Sequence, residues 1–90
     1  MNPITLNPEK SRFELEKEGQ IAVADFVLRP SEMVVTHVIV PQSLRGGGIA
    51  SQLAAEVVAH ARRENLQIVP QCSFMAAYME KHRETHDLRA

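Results

Sequence analysis

Polar and apolar residues alternate along the first half of the chain with the two-residue period of β-strands. The alternation predicts two strands, Arg12–Glu16 and Ile21–Leu28. A third run, Met33–Val40, is apolar or β-branched at nearly every position, which is typical of a strand buried on both faces. Because the turns between these strands are short, we expect an antiparallel meander.

The second half of the chain changes to the period of an α-helix. Apolar residues recur at helical spacing, at Ile49, Leu53, Val57 and Ala61. They predict a helix over Ile49–Arg63, followed by a short strand, Gln67–Gln71, and a short helix, Ser73–His82. The charged segment after His82 has no such period, and we expect it to fray.

The predicted order is therefore strand-strand-strand-helix-strand-helix. A helix between the third and fourth strands favours a right-handed parallel crossover, whereas the first three strands are antiparallel. We expect an α+β fold with a mixed, mainly antiparallel sheet and two helices. At 90 residues the chain has room for a single domain, residues 1–90.

Charge and composition exclude several classes of function. The 10 Lys and Arg residues nearly balance the 11 Asp and Glu residues, which excludes nucleic-acid binding through bulk positive charge and a polybasic membrane anchor. No apolar run approaches the roughly 20 residues that span a bilayer, and the start of the chain lacks the features of a signal peptide. The single cysteine cannot form an internal disulfide, as is usual in a reducing compartment. We therefore expect a cytoplasmic protein without nucleic-acid or membrane partners.

Three consecutive glycines, Gly46, Gly47 and Gly48, lie between the third predicted strand and the long helix. Without Cβ atoms the backbone can turn tightly, and a ligand can approach it closely. The N–H groups and the dipole at the start of the next helix favour an anion, above all a phosphate. Arg45 adds a positive charge that can pair with a phosphate oxygen. The alternative is a flexible loop without a ligand.

This loop differs from two common phosphate-binding motifs. A P-loop has a lysine and a hydroxyl residue after its last glycine, but here Gly48 is followed by Ile49-Ala50. The dinucleotide pattern G-x-G-x-x-G also fails, because Ser51 stands where the last glycine should be. A pyrophosphate bound without magnesium remains open.

The glycine segment resembles the acetyl-CoA-binding motif of GNAT-type N-acetyltransferases, Arg/Gln-x-x-Gly-x-Gly/Ala. Arg45, Gly48 and Ala50 stand at its three fixed positions. Over residues 12 to 88 the chain is also similar to the small single-domain proteins of the GNAT-like family. That likeness rests on further residues of the family pattern, namely Thr36-His37, Val69-Pro70, Cys72, Phe74, Ala77-Tyr78 and His82.

The resemblance implies a minimal GNAT-like fold that binds acetyl-CoA or CoA. The pyrophosphate would lie on the backbone N–H groups of Gly46, Gly47, Gly48, Ile49, Ala50 and Ser51. The pantetheine arm would pair with the backbone of Val38, Ile39 and Val40, where the third and fourth strands part. Pro70 suits such a parting, because a proline cannot donate a hydrogen bond within a sheet.

Cys72 is one of three candidates for the chemistry of acetyl transfer. It is the only thiol and precedes the second predicted helix, whose N-terminus favours a thiolate. The alternative is a small buried apolar residue. In the family this cysteine is a proposed catalytic residue, which would either accept the acetyl group as a thioester or only line the site.

Tyr78 and His37 are the other two candidates. Tyr78 resembles the tyrosine with which GNAT enzymes often protonate the leaving CoA thiolate, and its alternative role is that of a core aromatic residue. By strand alternation His37 shares a face with Val35 and Ile39, where a histidine is usually a hydrogen-bonded core residue. Its match to the family pattern adds a role as general base or as partner of the thiol.

Two further observations complete the interpretation. His82 and His86 are four residues apart, but no third ligand is evident, so we expect no metal site. Larger GNAT enzymes have extra helices and closing strands that usually build the acceptor pocket, and this chain has no room for them. We therefore expect an acetyl-CoA-dependent N-acetyltransferase with an unidentified amine acceptor, a small molecule or a protein. The alternative is a CoA-binding module with weak or no catalysis.

Overall fold

The computed structural model describes residues 3–90, in which five strands and two α-helices form the architecture. The strands are β1 (Ile4–Asn7), β2 (Arg12–Lys17), β3 (Gln20–Leu28), β4 (Glu32–Ile39) and β5 (Gln67–Pro70). The helices are α1 (Ile49–Arg63) and α2 (Ser73–Lys81), with short 3₁₀ helices at Gln42–Leu44 and Arg83–Leu88. No helix within residues 3–90 has the length and apolar character needed to cross a membrane.

The strands form one sheet in the order β1-β2-β3-β4-β5. The first four pair antiparallel, and β5 pairs parallel to β4 through the α1 crossover. The α+β class, the mixed and mainly antiparallel sheet and the two helices are thus confirmed. The structure adds β1, which the predicted order lacked. Only four residues lie between Pro3 and Pro8, and an alternation over four residues is too short to mark a strand.

Both helices pack against the same face of the sheet. The predicted apolar stripe of α1, Ile49, Leu53, Val57 and Ala61, is buried. It forms one cluster with Met75 and Met79 of α2 and with alternate residues of the strands, such as Phe13 and Leu15. The other face is built by the intervening residues, and within residues 3–90 no helix lies over it. We call it the open face; Ile21, Val27 and Ile39 lie there, each about half exposed.

A β-bulge interrupts β4 and changes which side chains face the helices. Val35 pairs with Phe26 and His37 pairs with Asp25, so Thr36 is an extra residue between them. Val35 points into the core, whereas His37 lies on the open face and is exposed. The expectation that His37 shares a face with Val35 and is buried is therefore wrong. One inserted residue reverses the alternation on which it rested.

The expectation that the segment after His82 frays is also wrong. Residues 83–88 form a 3₁₀ helix in which Thr85 and Leu88 are buried. Arg62 of α1 binds the Asp87 carboxylate with two N–H groups, at 3.0 and 3.3 Å, and the Ala90 N–H donates to the Ile68 carbonyl at 2.9 Å. An ion pair thus fixes this segment to α1, and a backbone hydrogen bond from Ala90 fixes the residues after it to β5.

Candidate active site

Strands β4 and β5 part halfway along β4. Their pairing runs from Glu32↔Gln67 to Val35↔Pro70, and the Cys72 N–H donates a last hydrogen bond to the Val35 carbonyl at 3.1 Å. The chain then turns into α2, while β4 continues to Ile39 with β3 as its neighbour. Thr36–Ile39 therefore has one edge without a strand partner in the described part of the chain. Backbone donors and acceptors on such an edge remain open to a ligand.

The glycine loop leads from the end of β4 to the start of α1. Gly46 and Gly48 have φ angles of 88° and 78°, in the left-handed region that side chains disfavour. A Cβ at either position would meet no atom within 4 Å, so the backbone angle and not space requires glycine. At Gly47 φ is not positive, and a Cβ would meet the Leu44 carbonyl at 3.7 Å, an ordinary contact.

The first turn of α1 is open to an anion. Gly48 occupies the N-cap position, no side chain caps the helix, and the first turn contains no acidic residue. The hydrogen bonds of the helix begin with the Gln52 N–H, which donates to the Gly48 carbonyl at 3.0 Å. The preceding N–H groups therefore have no acceptor within the helix, and the positive end of the helix dipole lies beside them.

A cavity of about 400 Å³ joins the unpaired edge of β4 to this helix start. It is lined by every predicted cofactor-binding residue except Gly47, that is by Val38, Ile39, Val40, Arg45, Gly46, Gly48, Ile49, Ala50 and Ser51. Leu44 and Phe74 complete the lining. The unpaired edge of β4 and the glycine loop therefore line the same cavity.

Two polar contacts fix the segment that leads into the glycines. The Arg45 Nε–H donates to the Val40 carbonyl at 3.1 Å, which holds the exposed guanidinium at the cavity wall. The Gln20 amide donates to the Ser43 hydroxyl and ties the 3₁₀ turn before the glycines to the hairpin of β2 and β3. The guanidinium keeps further N–H groups for a phosphate, since Arg carries five donors.

Cys72 lies where the two strands part. It is the N-cap residue of α2 and half-buried, with its side chain against the core. Its backbone is fully used, because its N–H binds Val35 and its carbonyl accepts from the Ala76 N–H at 3.0 Å. The thiol does not line the cavity.

Tyr78 is half-buried on α2, one turn after Phe74, with 6.4 Å between the two ring centroids. Its ring stacks on that of His82 at a centroid distance of 4.0 Å and an interplanar angle of 18°. Burial, with a smaller contribution from the negative charge of Glu84, raises the pKa of the Tyr78 phenol. The hydroxyl is therefore protonated at neutral pH, the state that a proton donor needs.

His37 lies apart from the other two candidates. One ring nitrogen is 3.2 Å from the Thr36 hydroxyl, on the open face, whereas Cys72 packs against the core beneath the helices. No hydrogen bond joins the His37 ring to the Cys72 thiol in the part of the chain that is described. None of His37, Cys72 and Tyr78 lines the cavity, so the structure groups the predicted binding residues more closely than the predicted chemical ones.

Comparison with protein families decides the class of this protein. The family model for GCN5-related N-acetyltransferases matches residues 12–88, most of the chain. The chain belongs to this family. The resemblance seen in the glycine loop and in the segment around Cys72 is thereby confirmed.

A solved structure supports the fold of this member of the GCN5-related N-acetyltransferase family. The chain is similar to a GCN5-like protein from Staphylococcus aureus, solved by NMR in solution and itself only proposed to be an N-acetyltransferase. The TM-score is 0.78 at 27% sequence identity, and the match covers 98% of this chain and 87% of the other. The two chains thus share the minimal form of the fold.

Three residues at or beside the site were given no binding or catalytic role from the sequence, although Phe74 and His82 belong to the family pattern. Leu44 and Phe74 line the cavity, and His82 packs on Tyr78. Phe74 and His82 carried a signal, since each lies at turn spacing from Tyr78 on the helical segment. Leu44 carried none, because a single leucine in a loop has no period.

Proposed function

We propose that this protein is an acetyl-CoA-dependent N-acetyltransferase that transfers the acetyl group to an amine. The observation that carries the proposal is that one continuous cavity joins the unpaired edge of β4 to the uncapped start of α1. A carrier with an amide-bearing arm at one end and a pyrophosphate at the other matches these two chemistries in one ligand. The acceptor is a small molecule or a protein.

In the proposed complex the pyrophosphate lies on the N–H groups of residues 46–51 and pairs with Arg45. The pantetheine amides bind the backbone of Val38–Val40, and the thioester lies near the point where β4 and β5 part. Helix N-termini bind phosphates in this way without magnesium, because their N–H groups and dipole supply the positive field.

In direct transfer the amine nitrogen attacks the thioester carbonyl carbon, and the carbon–sulfur bond breaks. The CoA sulfur leaves with the bonding electrons and takes a proton from the Tyr78 hydroxyl, while the amine loses a proton to a base or to water. His37 is the candidate base. Its place on the open face requires the acceptor to approach from that side of the sheet.

The alternative route passes through Cys72. Its thiolate attacks the same carbonyl carbon, CoA leaves, and a thioester forms on Cys72. An amine then attacks this thioester and releases the thiolate. The position of Cys72 at the parting of the strands supports this route, since the thioester of the carrier would end there.

A CoA-binding module with weak or no catalysis is the second candidate. It is favoured by one observation, that Cys72, Tyr78 and His37 all lie outside the cavity lining. The cytoplasmic location and the single domain over residues 1–90 also stay predictions.

Calorimetric titration with CoA tests the binding site. We expect Gly48→Ala to weaken CoA binding by about tenfold or more, a loss of about 1.4 kcal/mol, because an alanine disfavours the left-handed backbone and its Cβ enters the cavity. Gly47→Ala is the matched control, since its backbone and surroundings accept a Cβ. Equal affinities for the two variants and the parent protein would refute the proposed site.

Intact-mass measurement after incubation with acetyl-CoA separates the functions. An acetyl adduct that is absent in Cys72→Ala and is discharged by an added amine supports the route through Cys72. Acetylated amine without an adduct supports direct transfer. CoA binding with neither product, over a panel of small amines and lysine peptides, supports the binding module.

A further inference from the structure

Tyr78 and His82 form an aromatic pair at the end of α2, and only Tyr78 has a role in the proposed reaction. The His82 ring lies almost parallel to the Tyr78 ring, with 4.0 Å between their centroids. The same histidine binds the backbone of Tyr78 twice. The backbone N–H of His82 donates to the Tyr78 carbonyl oxygen at 3.1 Å, and the ring Nδ1 of His82 lies 2.7 Å from the same oxygen. Because a carbonyl only accepts, Nδ1 must carry the proton.

His82 is itself held from the other side. The buried Thr85 hydroxyl contacts the His82 carbonyl at 2.7 Å and the Met79 carbonyl at 3.2 Å. Thr85 belongs to the 3₁₀ helix that Arg62 fixes to α1. A continuous set of contacts therefore leads from the rigid part of the molecule through His82 to the face of the Tyr78 ring.

We propose that His82 is a positioning residue for Tyr78, holding its ring in one orientation so that the hydroxyl can reach the leaving sulfur. The inference rests on the proposed function, in which Tyr78 donates that proton. A tyrosine side chain at a helix end, if unstacked, would sample several rotamers, and a proton donor must lie within hydrogen-bond reach of its target. The stacked imidazole removes that freedom without touching the substrate.

The chain offers a direct optical test, because Tyr78 is its only tyrosine and it contains no tryptophan. His82→Asn removes the ring but keeps a side-chain donor, His82→Phe keeps a stacked ring but loses the donor, and His86→Ala is the control on the neighbouring 3₁₀ helix. We expect His82→Asn to lower the steady-state anisotropy of the tyrosine fluorescence. Its phenol, titrated by absorbance, should return towards the ordinary pKa of about 10, because the ring loses its cover. Glu84, the charged neighbour that raises this pKa, is unchanged in all variants.

His82→Phe and His86→Ala should match the parent protein in both optical measurements. An anisotropy and a titration that are unchanged in His82→Asn would overturn the inference. Circular dichroism checks that each variant is folded, and His82→Phe decides the role of stacking if His82→Asn unfolds, since it must then retain the parent signal.

Kinetics give the second readout. In His82→Asn, kcat for acetyl transfer should fall by about tenfold, part of the roughly 100-fold or more that a general acid supplies, with the KM for acetyl-CoA unchanged. His82→Phe should restore kcat. An altered tyrosine signal with an unchanged kcat would overturn the positioning role. If the parent protein transfers no acetyl group at all, the proposed function fails, and the optical measurements alone decide whether His82 orders Tyr78.

Discussion

Ser51 and Gln52, neighbours in the first turn of α1, allow the anion site to be tested by charge. Ser51 lines the cavity, whereas Gln52 is exposed outside it. A glutamate at either position interacts favourably with the helix dipole and should raise the free energy of unfolding by about 0.3–1 kcal/mol.

Only Ser51→Glu should also weaken CoA binding, because its carboxylate would lie at the proposed pyrophosphate site and repel the phosphate charge. Gln52→Glu should bind CoA nearly as the parent protein does. Thermal unfolding and calorimetric titration of the two variants measure both effects. Equal losses of affinity would show that general charge repulsion, and not a phosphate site at Ser51, is responsible.

At this scale the sequence grouped the residues that line the cavity better than it placed the candidate chemical residues, whose roles stay predictions. Arg45, Gly48 and Ala50 follow a local pattern, and local patterns survive folding because the residues stay adjacent. The predicted environment of His37 rested on the alternation of side chains between the two faces of β4. The bulge at Thr36 reverses that alternation and moves His37 to the open face. Nothing in the run of apolar residues marks where an extra residue is inserted.

Among the elements, the last 3₁₀ helix contacts α1 through Arg62, which pairs with the Asp87 carboxylate and also donates to the Glu84 carbonyl. Arg62 beside Asp87 holds the pKa of the Asp87 carboxyl below 3.8, the ordinary value for an aspartate. The folded state therefore favours the carboxylate. This stabilisation is fully present above pH 3.8 and is lost as the pH falls through the lower pKa of the folded state.

We expect Asp87→Asn to lower the melting temperature at pH 7. The variant should match the parent protein more closely as the pH falls below about 4, where the Asp87 carboxylate of the parent takes up a proton and becomes neutral like the asparagine. Thermal unfolding monitored by circular dichroism between pH 2.5 and 7 measures the difference. Glu9→Gln, on an exposed turn, is the control. A difference that persists undiminished at pH 2.5 would mean that Asp87 acts through something other than its charge.

The elements that the sequence predicted are those with many periodic residues. Helix α1 begins and ends where predicted, because its apolar stripe repeats over four turns. Strand β1 and the last 3₁₀ helix escaped prediction since each is short. The latter is held by Thr85, Leu88 and one distant arginine, and such long-range contacts leave no period in the sequence.

For the whole molecule, bound CoA should protect two segments of the chain together. Val38–Val40 and the loop of residues 45–51 both contribute to the lining of the cavity, so a ligand that spans it should slow amide exchange in both. At 100 times the dissociation constant the folded state gains about 2.7 kcal/mol, which should also raise the melting temperature. Hydrogen–deuterium exchange read by mass spectrometry measures the protection. Stabilisation accompanied by protection elsewhere would place CoA at another site.

The short reach of the unpaired β4 edge has a consequence for solubility. A bare strand edge inside a sheet normally recruits stray chains and seeds aggregates. Here the bare stretch of β4 is short, Thr36–Ile39, and it is flanked by the turn into α2 at one end and by the glycine loop at the other. The backbone of Thr36–Ile39 offers too few hydrogen bonds to hold another polypeptide strand, whereas a narrow ligand arm with two amides needs no more. The length of the gap therefore favours a short ligand over a polypeptide strand, independently of any side-chain contact.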